Sequence, residues 1–296
     1  SRVEADILLT DERVKAVTFV GTTGVGKQVY SKAAAHGKRV QAQCEAKNHA
    51  LVLEDCNLEA TVNAIINSTY GCAGMRCMAL PVVCVQESIA DEFVSLLKKK
   101  AEAMKLGCAY DEETDLGPVV NAGHKEKICN WIQKGIDEGA ELVLDGRNVA
   151  VPGYENGFFV GPTILDHVTP EMTVGNREIF GPVTCIKRVK DYEEGIKIMN
   201  ANPFANGSCI FTQSGYYSRK FAMETDGGMV GINVGIPVPT AYFPFSGNKD
   251  SFFGDLHVLG KDGYRFFTRA KTVTTHWFDE AAGKRKVGTW EGSTEA

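Results

Sequence analysis

Apolar residues recur along the chain in two alternating rhythms: short β-branched runs, and longer stretches with helical spacing. Val14 to Val20 (VKAVTFV) is the first run; it ends at Gly21-Thr22-Thr23-Gly24-Val25-Gly26-Lys27, after which Gln28 to His36 has helix-forming composition. Lys38 to Cys44 and Ala50 to Leu53 read as two further strands around a polar segment, Glu45-Ala46-Lys47-Asn48-His49. Asn57 is placed to cap a helix to about Tyr70, with Leu58, Val62, Ile65 and Ile66 on one face. Pro81 to Val85 reads as a buried strand, Ala90 to Met104 as an amphipathic helix with Lys98, Lys99 and Lys100 on its solvated face, and Ala122 to Gly139 as another helix.

The alternation continues. Glu141 to Leu144 reads as a strand, Tyr154-Glu155-Asn156-Gly157 as a hairpin turn, and Phe158 to Ile164 as extended chain. Strands are predicted at Val183 to Val189, Gly207 to Thr212 and Val230 to Val234, and helices at Tyr192 to Asn202 and Tyr217 to Thr225. Gly235 to Gly254 reads as a shaped loop, Arg269 to Trp277 as a terminal strand, and the polar residues from Asp279 onward as a mobile tail. Strands alternating with helices of ordinary length predict an α/β fold with a largely parallel sheet.

Composition narrows the function classes. With 44% hydrophobic and 23% charged residues in 296, the chain has the make-up of a soluble globular protein, large enough for two ordinary domains. A formal net charge of -5 offers no basic footprint for nucleic acid, and no stretch approaches the length of a membrane-spanning helix. The nine cysteines are odd in number and lack paired CxxC spacing, so they read as reduced thiols, and no metal site is expected.

Two stretches carry candidate chemistry. In Gly71-Cys72-Ala73-Gly74-Met75-Arg76-Cys77, glycines loosen the backbone before a cysteine flanked by a guanidinium, a setting that lowers a thiol's pKa and suits a nucleophile. The plainer reading of Cys77 is one buried thiol among nine. The turn from Gly21 to Lys27 places backbone N–H groups at a helix start, where a phosphate can bind. Its pattern is neither GxGxxG nor GxxxxGK[ST], and an ordinary strand-to-helix turn remains the alternative.

Taken together, these motifs resemble the aldehyde dehydrogenase superfamily, and within it the CoA-acylating methylmalonate-semialdehyde dehydrogenases. The resemblance runs from about Val14 to Trp277 and rests on Phe19-Val20-Gly21-Thr22-Thr23-Gly24-Val25-Gly26, Ala46-Lys47-Asn48-His49, Gly74-Met75-Arg76-Cys77-Met78-Ala79, Glu178-Ile179-Phe180-Gly181-Pro182-Val183, Gly231-Ile232-Asn233-Val234 and Ile236-Pro237-Val238-Pro239. It implies a three-layer catalytic domain preceded by the C-terminal part of a Rossmann-like domain. The implied divisions are 1–45 as partial dinucleotide-binding domain, 46–260 as catalytic domain, 261–278 as oligomerisation strand and 279–296 as tail.

The same resemblance assigns roles. Cys77 would be the nucleophile that forms a thioester, Arg76 would bind a substrate carboxylate, Gly21, Thr22 and Gly26 would lie near the diphosphate of NAD, and Glu178 with Phe180 would hold the nicotinamide end. Coenzyme A would take the acyl group, because Gln43 stands where hydrolytic members carry a glutamate base. Met75 replaces a usual glutamine or glutamate, and Glu45 stands where the family has a glycine. The implied substrate is a short semialdehyde, the implied setting the mitochondrial matrix or cytoplasm, and the implied assembly a homo-oligomer or part of a larger complex. Because family members begin earlier, the chain is expected to lack the strands that hold adenosine. It would then be a piece of a full enzyme, one polypeptide of a split one, or a catalytically inactive half kept as a structural subunit.

Overall fold

The computed structural model describes residues 2–277, and the expected tail 279–296 lies outside them. The chain opens with a helix, Arg2–Thr10 (α1), to which the sequence reading assigns no element. Strand Ala16–Val20 (β1), helix Thr23–Ala35 (α2) and strand Arg39–Gln43 (β2) follow as one unit. β1 and β2 pair in parallel from Ala16 opposite Arg39 to Val20 opposite Gln43. Helix α2 starts five residues before the expected Gln28. Gly24 and Gly26 weaken its first turn, yet Gly26 is buried where a Cβ would lie 2.3 Å from Cys44 Sγ. Tertiary packing overrides local propensity there.

Strand His49–Val52 (β3) begins the larger part. Helix Leu58–Tyr70 (α3) follows with Asn57 as its cap, the Asn57 side chain accepting from the Ala60 N–H at 3.1 Å. Then come Val82–Gln86 (β4), Glu87–Glu102 (α4), Ala122–Asp137 (α5), Glu141–Leu144 (β5), Thr163–Asp166 (β6), Val183–Val189 (β7), Tyr192–Ala201 (α6), Phe204–Ala205 (β8), Gly207–Phe211 (β9), Gly215–Glu224 (α7) and Met229–Ile232 (β10). The seven-stranded sheet has the order β10-β9-β3-β4-β7-β6-β5, parallel except for the β5–β6 pair. The turn at Tyr154 to Gly157 closes, with the Gly157 N–H on the Tyr154 carbonyl at 2.8 Å. The strand after it is confined to Thr163–Asp166.

Burial explains the strand sequences. β3 and β9 are buried throughout, and only Arg188 of β7 reaches solvent, so these strands carry apolar residues without alternation. β10, at the sheet edge, alternates buried and exposed. One core packs α3, α4 and α5 on one face through Val62, Phe93 and Ile128; a second, around Leu51, Ile196 and Phe221, packs α6 and α7 on the other. This is a three-layer α/β architecture.

The shaped loop after β10 contains two short strands, Asn248–Lys249 (β11) and Phe252–Phe253 (β12), and leads to helix Gly260–Phe267 (α8). β12 pairs antiparallel with β2, Phe252 opposite Gln43, so the chain returns to the small sheet before residue 260. The oligomerisation strand expected over Arg269–Trp277 would draw its ladder from a second subunit, and within the single chain the segment has another form. Helix α8 fills the first part of 261–278, and residues 268–277 are exposed without regular structure. A strand requires a ladder, and no described residue supplies one to this segment.

The connection from Gln43 to His49 fixes where a site can form. The small sheet points the carboxyl ends of β1 and β2 at the same gap that the amino ends of β3, β4 and β7 face. Ligand clefts in open α/β sheets usually lie outside carboxyl ends, and here the small sheet provides them.

Candidate active-site cleft

Cys77 lies in the loop between α3 and β4, and that loop is strained. Cys72, Ala73 and Gly74 all adopt left-handed conformations, with φ of 52°, 53° and 69°. Each non-glycine residue in that region costs about 1–2 kcal/mol, so the surroundings must enforce it. They do so through short polar contacts. The Met75 N–H donates to the Cys72 carbonyl at 3.0 Å, and the Ala79 N–H to the Arg76 carbonyl at 3.1 Å. Asn48 Nδ2 donates to the carbonyls of Cys77 at 2.9 Å and Ala79 at 2.8 Å, while its Oδ1 accepts from the Gly207 N–H at 2.8 Å. Asn206 Nδ2 adds a second donor to the Cys77 carbonyl at 3.1 Å.

Asn48 and Asn206 therefore hold the Cys77 loop against β3 and β9, a function the sequence reading did not assign. The available signal was a buried-looking strand entered through a lone amide. Met75 packs against the core and so anchors the loop.

Cys77 faces a narrow cleft that Arg76, Glu178 and Phe180 also line, with Ala46 and Asn48 on the β3 side. Phe180 has a φ of 61°, and its carbonyl accepts from His124 Nε2 at 2.7 Å, a contact that ties α5 to the cleft rim. Gly21 and Thr22 are exposed at the end of β1 and the start of α2, outside this cleft. Gly26 is buried against Cys44 and serves packing. What joins the two places is the segment after β2: the Ala46 N–H donates to Glu178 Oε1 at 3.2 Å, and Glu45 Oε2 accepts from the Thr23 N–H at 2.9 Å.

Electrostatics correct one expectation. Arg76 does not activate Cys77. Its Nε donates to Cys72 Sγ at 3.2 Å and its Nη1 to the Asn67 carbonyl at 3.2 Å, at the C-terminal end of α3. A Cβ at Gly71 would come within 2.5 Å of that guanidinium, so the bare glycine lets the arginine lie against the helix end. The Cys77 thiol is pushed above its ordinary pKa, first by burial and then by the Glu178 charge.

Burial also pushes Glu178 up to about 7, with the Ala46 N–H opposing and the charge of Glu45 adding to the rise. Its folded pKa lies above the unfolded value, so the ionised form costs stability above pH 7, and that cost fades as the pH falls towards the ordinary carboxylate range. Glu178→Gln is expected to raise the melting temperature at pH 8 and to have a much smaller effect near pH 5. A shift equal at both pH values contradicts this assignment.

Comparison with known proteins adds the next observation. The aldehyde dehydrogenase family profile matches residues 1–273. The chain is 51% identical over 270 residues to malonate-semialdehyde dehydrogenase 2 of Oceanobacillus iheyensis, covering 91% of this chain and 55% of that protein. A relative of the same description from Bacillus mycoides is 50% identical over 91% of this chain and 56% of its own length. Among solved structures, methylmalonate-semialdehyde dehydrogenase from Oceanimonas doudoroffii superposes with a TM-score of 0.91 at 45% identity, covering 93% of this chain and 57% of that one. A putative methylmalonate-semialdehyde dehydrogenase from Sinorhizobium meliloti, complexed with NAD, superposes with a TM-score of 0.92 at 42% identity, covering 94% and 57%. The chain thus spans little more than half the length of these relatives. The relatives are bacterial, and bacteria have no mitochondria, so the expectation of a mitochondrial matrix protein is withdrawn. A family match running through both sheets and beyond α8, with solved structures superposing on nearly all of the chain, leaves one placement: the chain belongs to the aldehyde dehydrogenase family.

Proposed function

We propose that the chain provides the catalytic cleft of an NAD-dependent dehydrogenase that oxidises malonate or methylmalonate semialdehyde and passes the acyl group to coenzyme A. The observation that carries this reading is the meeting of Cys77, Arg76, Glu178 and Phe180 around one cleft. A relic would be under no constraint to keep all four there.

The Cys77 thiolate adds to the aldehyde carbon, forming the C–S bond of a thiohemiacetal. NAD, when bound, would accept the hydride leaving that carbon as the oxyanion re-forms its C=O bond, so that Cys77 is left as a thioester. The thiolate of coenzyme A then attacks the thioester carbonyl, and the Cys77 sulfur departs. Arg76 holds the substrate's carboxylate. Its Nε and Nη1 are anchored, and Nη2 has no partner among the described residues, so the guanidinium is both oriented and available.

The residues present suit the cofactor at two points. Glu178 and Phe180 wall the cleft on one side, and Thr22 precedes α2 without a side-chain cap, so the helix start has backbone N–H groups suited to an anion, the first of them shared with Glu45. Gln43 favours coenzyme A over water as acyl acceptor: both ends of its amide are buried without partners among the described residues, and an amide cannot accept a proton at neutral pH. On this reading residues 1–45, joined by β12, belong with the dinucleotide-binding part and most of 46–260 with the catalytic part. The half-exposed β10 edge is where a second subunit would pair.

The test is a substrate comparison. With malonate semialdehyde and NAD, acyl-CoA should form only when coenzyme A is supplied. Arg76→Gln should raise KM for malonate semialdehyde by about 10- to 100-fold, the worth of hydrogen bonds to a charged group, while KM for propanal stays near its original value. Free acid released at full rate without coenzyme A, or equal loss for both aldehydes, rejects the reading.

A further inference from the structure

The start of α2 already holds an anion, and it belongs to the chain itself. Glu45 Oε2 accepts from the Thr23 backbone N–H at 2.9 Å, across 22 residues of sequence. The contact is reciprocal, since the Glu45 N–H donates to Thr23 Oγ1 at 3.3 Å. The Thr23 hydroxyl in turn donates to the Asp250 carbonyl at 3.0 Å, and Ser251 Oγ donates to the Glu45 carbonyl at 2.7 Å. Thr23 is the first residue of α2, and Thr22 before it makes no capping bond through its side chain. The acceptor that a helix start usually takes from its own cap comes here from the opposite side of the gap.

Glu45 is also linked to the cleft through its chain neighbour. Glu45 precedes Ala46, whose N–H is bonded to Glu178, and the charge of Glu45 contributes to the raised pKa of both Glu178 and Cys44. One carboxylate thus stands between the helix start and the acid that lines the cleft. Glycine at this position would leave both places open.

We propose that Glu45 is an internal competitor for the cofactor's diphosphate and sets how tightly the dinucleotide binds. The proposal rests on the reading of the α2 start as the diphosphate site. A helix N-terminus favours a negative group, and the Thr23 N–H can serve the diphosphate only to the extent that Glu45 gives it up. A diphosphate arriving beside an ionised carboxylate also meets like charge. Both effects weaken binding of the dinucleotide without touching Cys77.

Calorimetric titration of the full chain with NAD, and separately with ADP-ribose, tests this in the wild type, Glu45→Gln and Glu45→Gly. Glu45→Gln keeps the size and an acceptor but removes the charge; Glu45→Gly empties the position. Both variants are expected to bind both ligands about tenfold tighter than wild type, Glu45→Gly the more so. Ligand-free Glu45→Gly should melt at a lower temperature, because the Thr23 N–H loses its acceptor. Binding by the variants alone also supports the proposal. Unchanged or weaker binding in both variants overturns it while leaving the dinucleotide site in place. A gain seen for NAD and not for ADP-ribose moves the effect to the nicotinamide end and likewise overturns it. If none of the three proteins binds either ligand, the diphosphate site falls and the proposal with it.

Discussion

On the function proposed above, replacing Cys77 with alanine is expected to lower kcat for semialdehyde oxidation by about 10⁴-fold or more, as loss of a covalent nucleophile does elsewhere. The structure distinguishes Cys77 from the other eight thiols. Cys84, Cys185 and Cys209 are buried, and burial pushes the first and last of them up to about 12. Cys44, Cys56, Cys108 and Cys129 are half-buried, and Cys72 is exposed but engaged by Arg76. Only Cys77 lines the cleft with Glu178 and Phe180. Mass spectrometry after incubation with malonate semialdehyde and NAD, without coenzyme A, should find an acyl adduct on the peptide containing Cys77. Cys56→Ala should retain that adduct and Cys77→Ala should lack it. An adduct persisting in Cys77→Ala would show that another thiol is the nucleophile.

The pH dependence follows from the same environment. Burial and Glu178 both favour the protonated thiol, so alkylation of Cys77 by iodoacetamide in the ligand-free protein should accelerate as the pH rises, with a midpoint above that of an ordinary thiol. Glu178→Gln removes the second of these influences and should move the midpoint down. The neighbouring arginine, which the sequence suggests as the activator, contributes to substrate binding on the reading proposed here. Its guanidinium is turned towards Asn67 and Cys72.

Sequence pattern reaches furthest where the determinants are local. Strands Glu141–Leu144 and Val183–Val189 have the boundaries that their apolar runs define, and α3 starts where Asn57 caps it. Each of these signals lies within a few residues of the element it specifies. The start of α2 is different, because its glycine-bearing first turn is stabilised by contact with Cys44 and Glu45 across the gap. β8, β11 and β12 contain two residues each, too short for any periodicity. Arg269 to Trp277 alternates like a strand but finds no ladder within the described residues. At the site, Arg76, Cys77, Glu178 and Phe180 are marked by motif, whereas Asn48, His124, Asn206 and Glu45 act through partners distant in sequence, from Thr23 to Gly207. Their roles are set by packing and leave no periodic trace.

Gly74→Ala is expected to cost about 3 kcal/mol or more, combining an enforced left-handed backbone with a collision that flexible side chains cannot absorb. A Cβ at Gly74 would lie 2.2 Å from the Gly181 carbonyl oxygen, 2.3 Å from its carbon and 2.8 Å from Pro182 N, all backbone atoms. Gly37 provides the control, with a φ of +67° and nothing within 4 Å of its Cβ position. Gly37→Ala should therefore cost only the conformational part, about 1 kcal/mol. Urea denaturation of both variants separates strain from collision, and equal losses would mean that the close approach at Gly74 is not rigid. The consequence reaches the chemistry, because Gly181 follows Phe180 and the same loop presents Cys77. Relieving the collision must move either the Cys77 loop or the Phe180 rim, so even the fraction of Gly74→Ala that remains folded should show altered alkylation of Cys77, while Gly37→Ala should react as the wild type does.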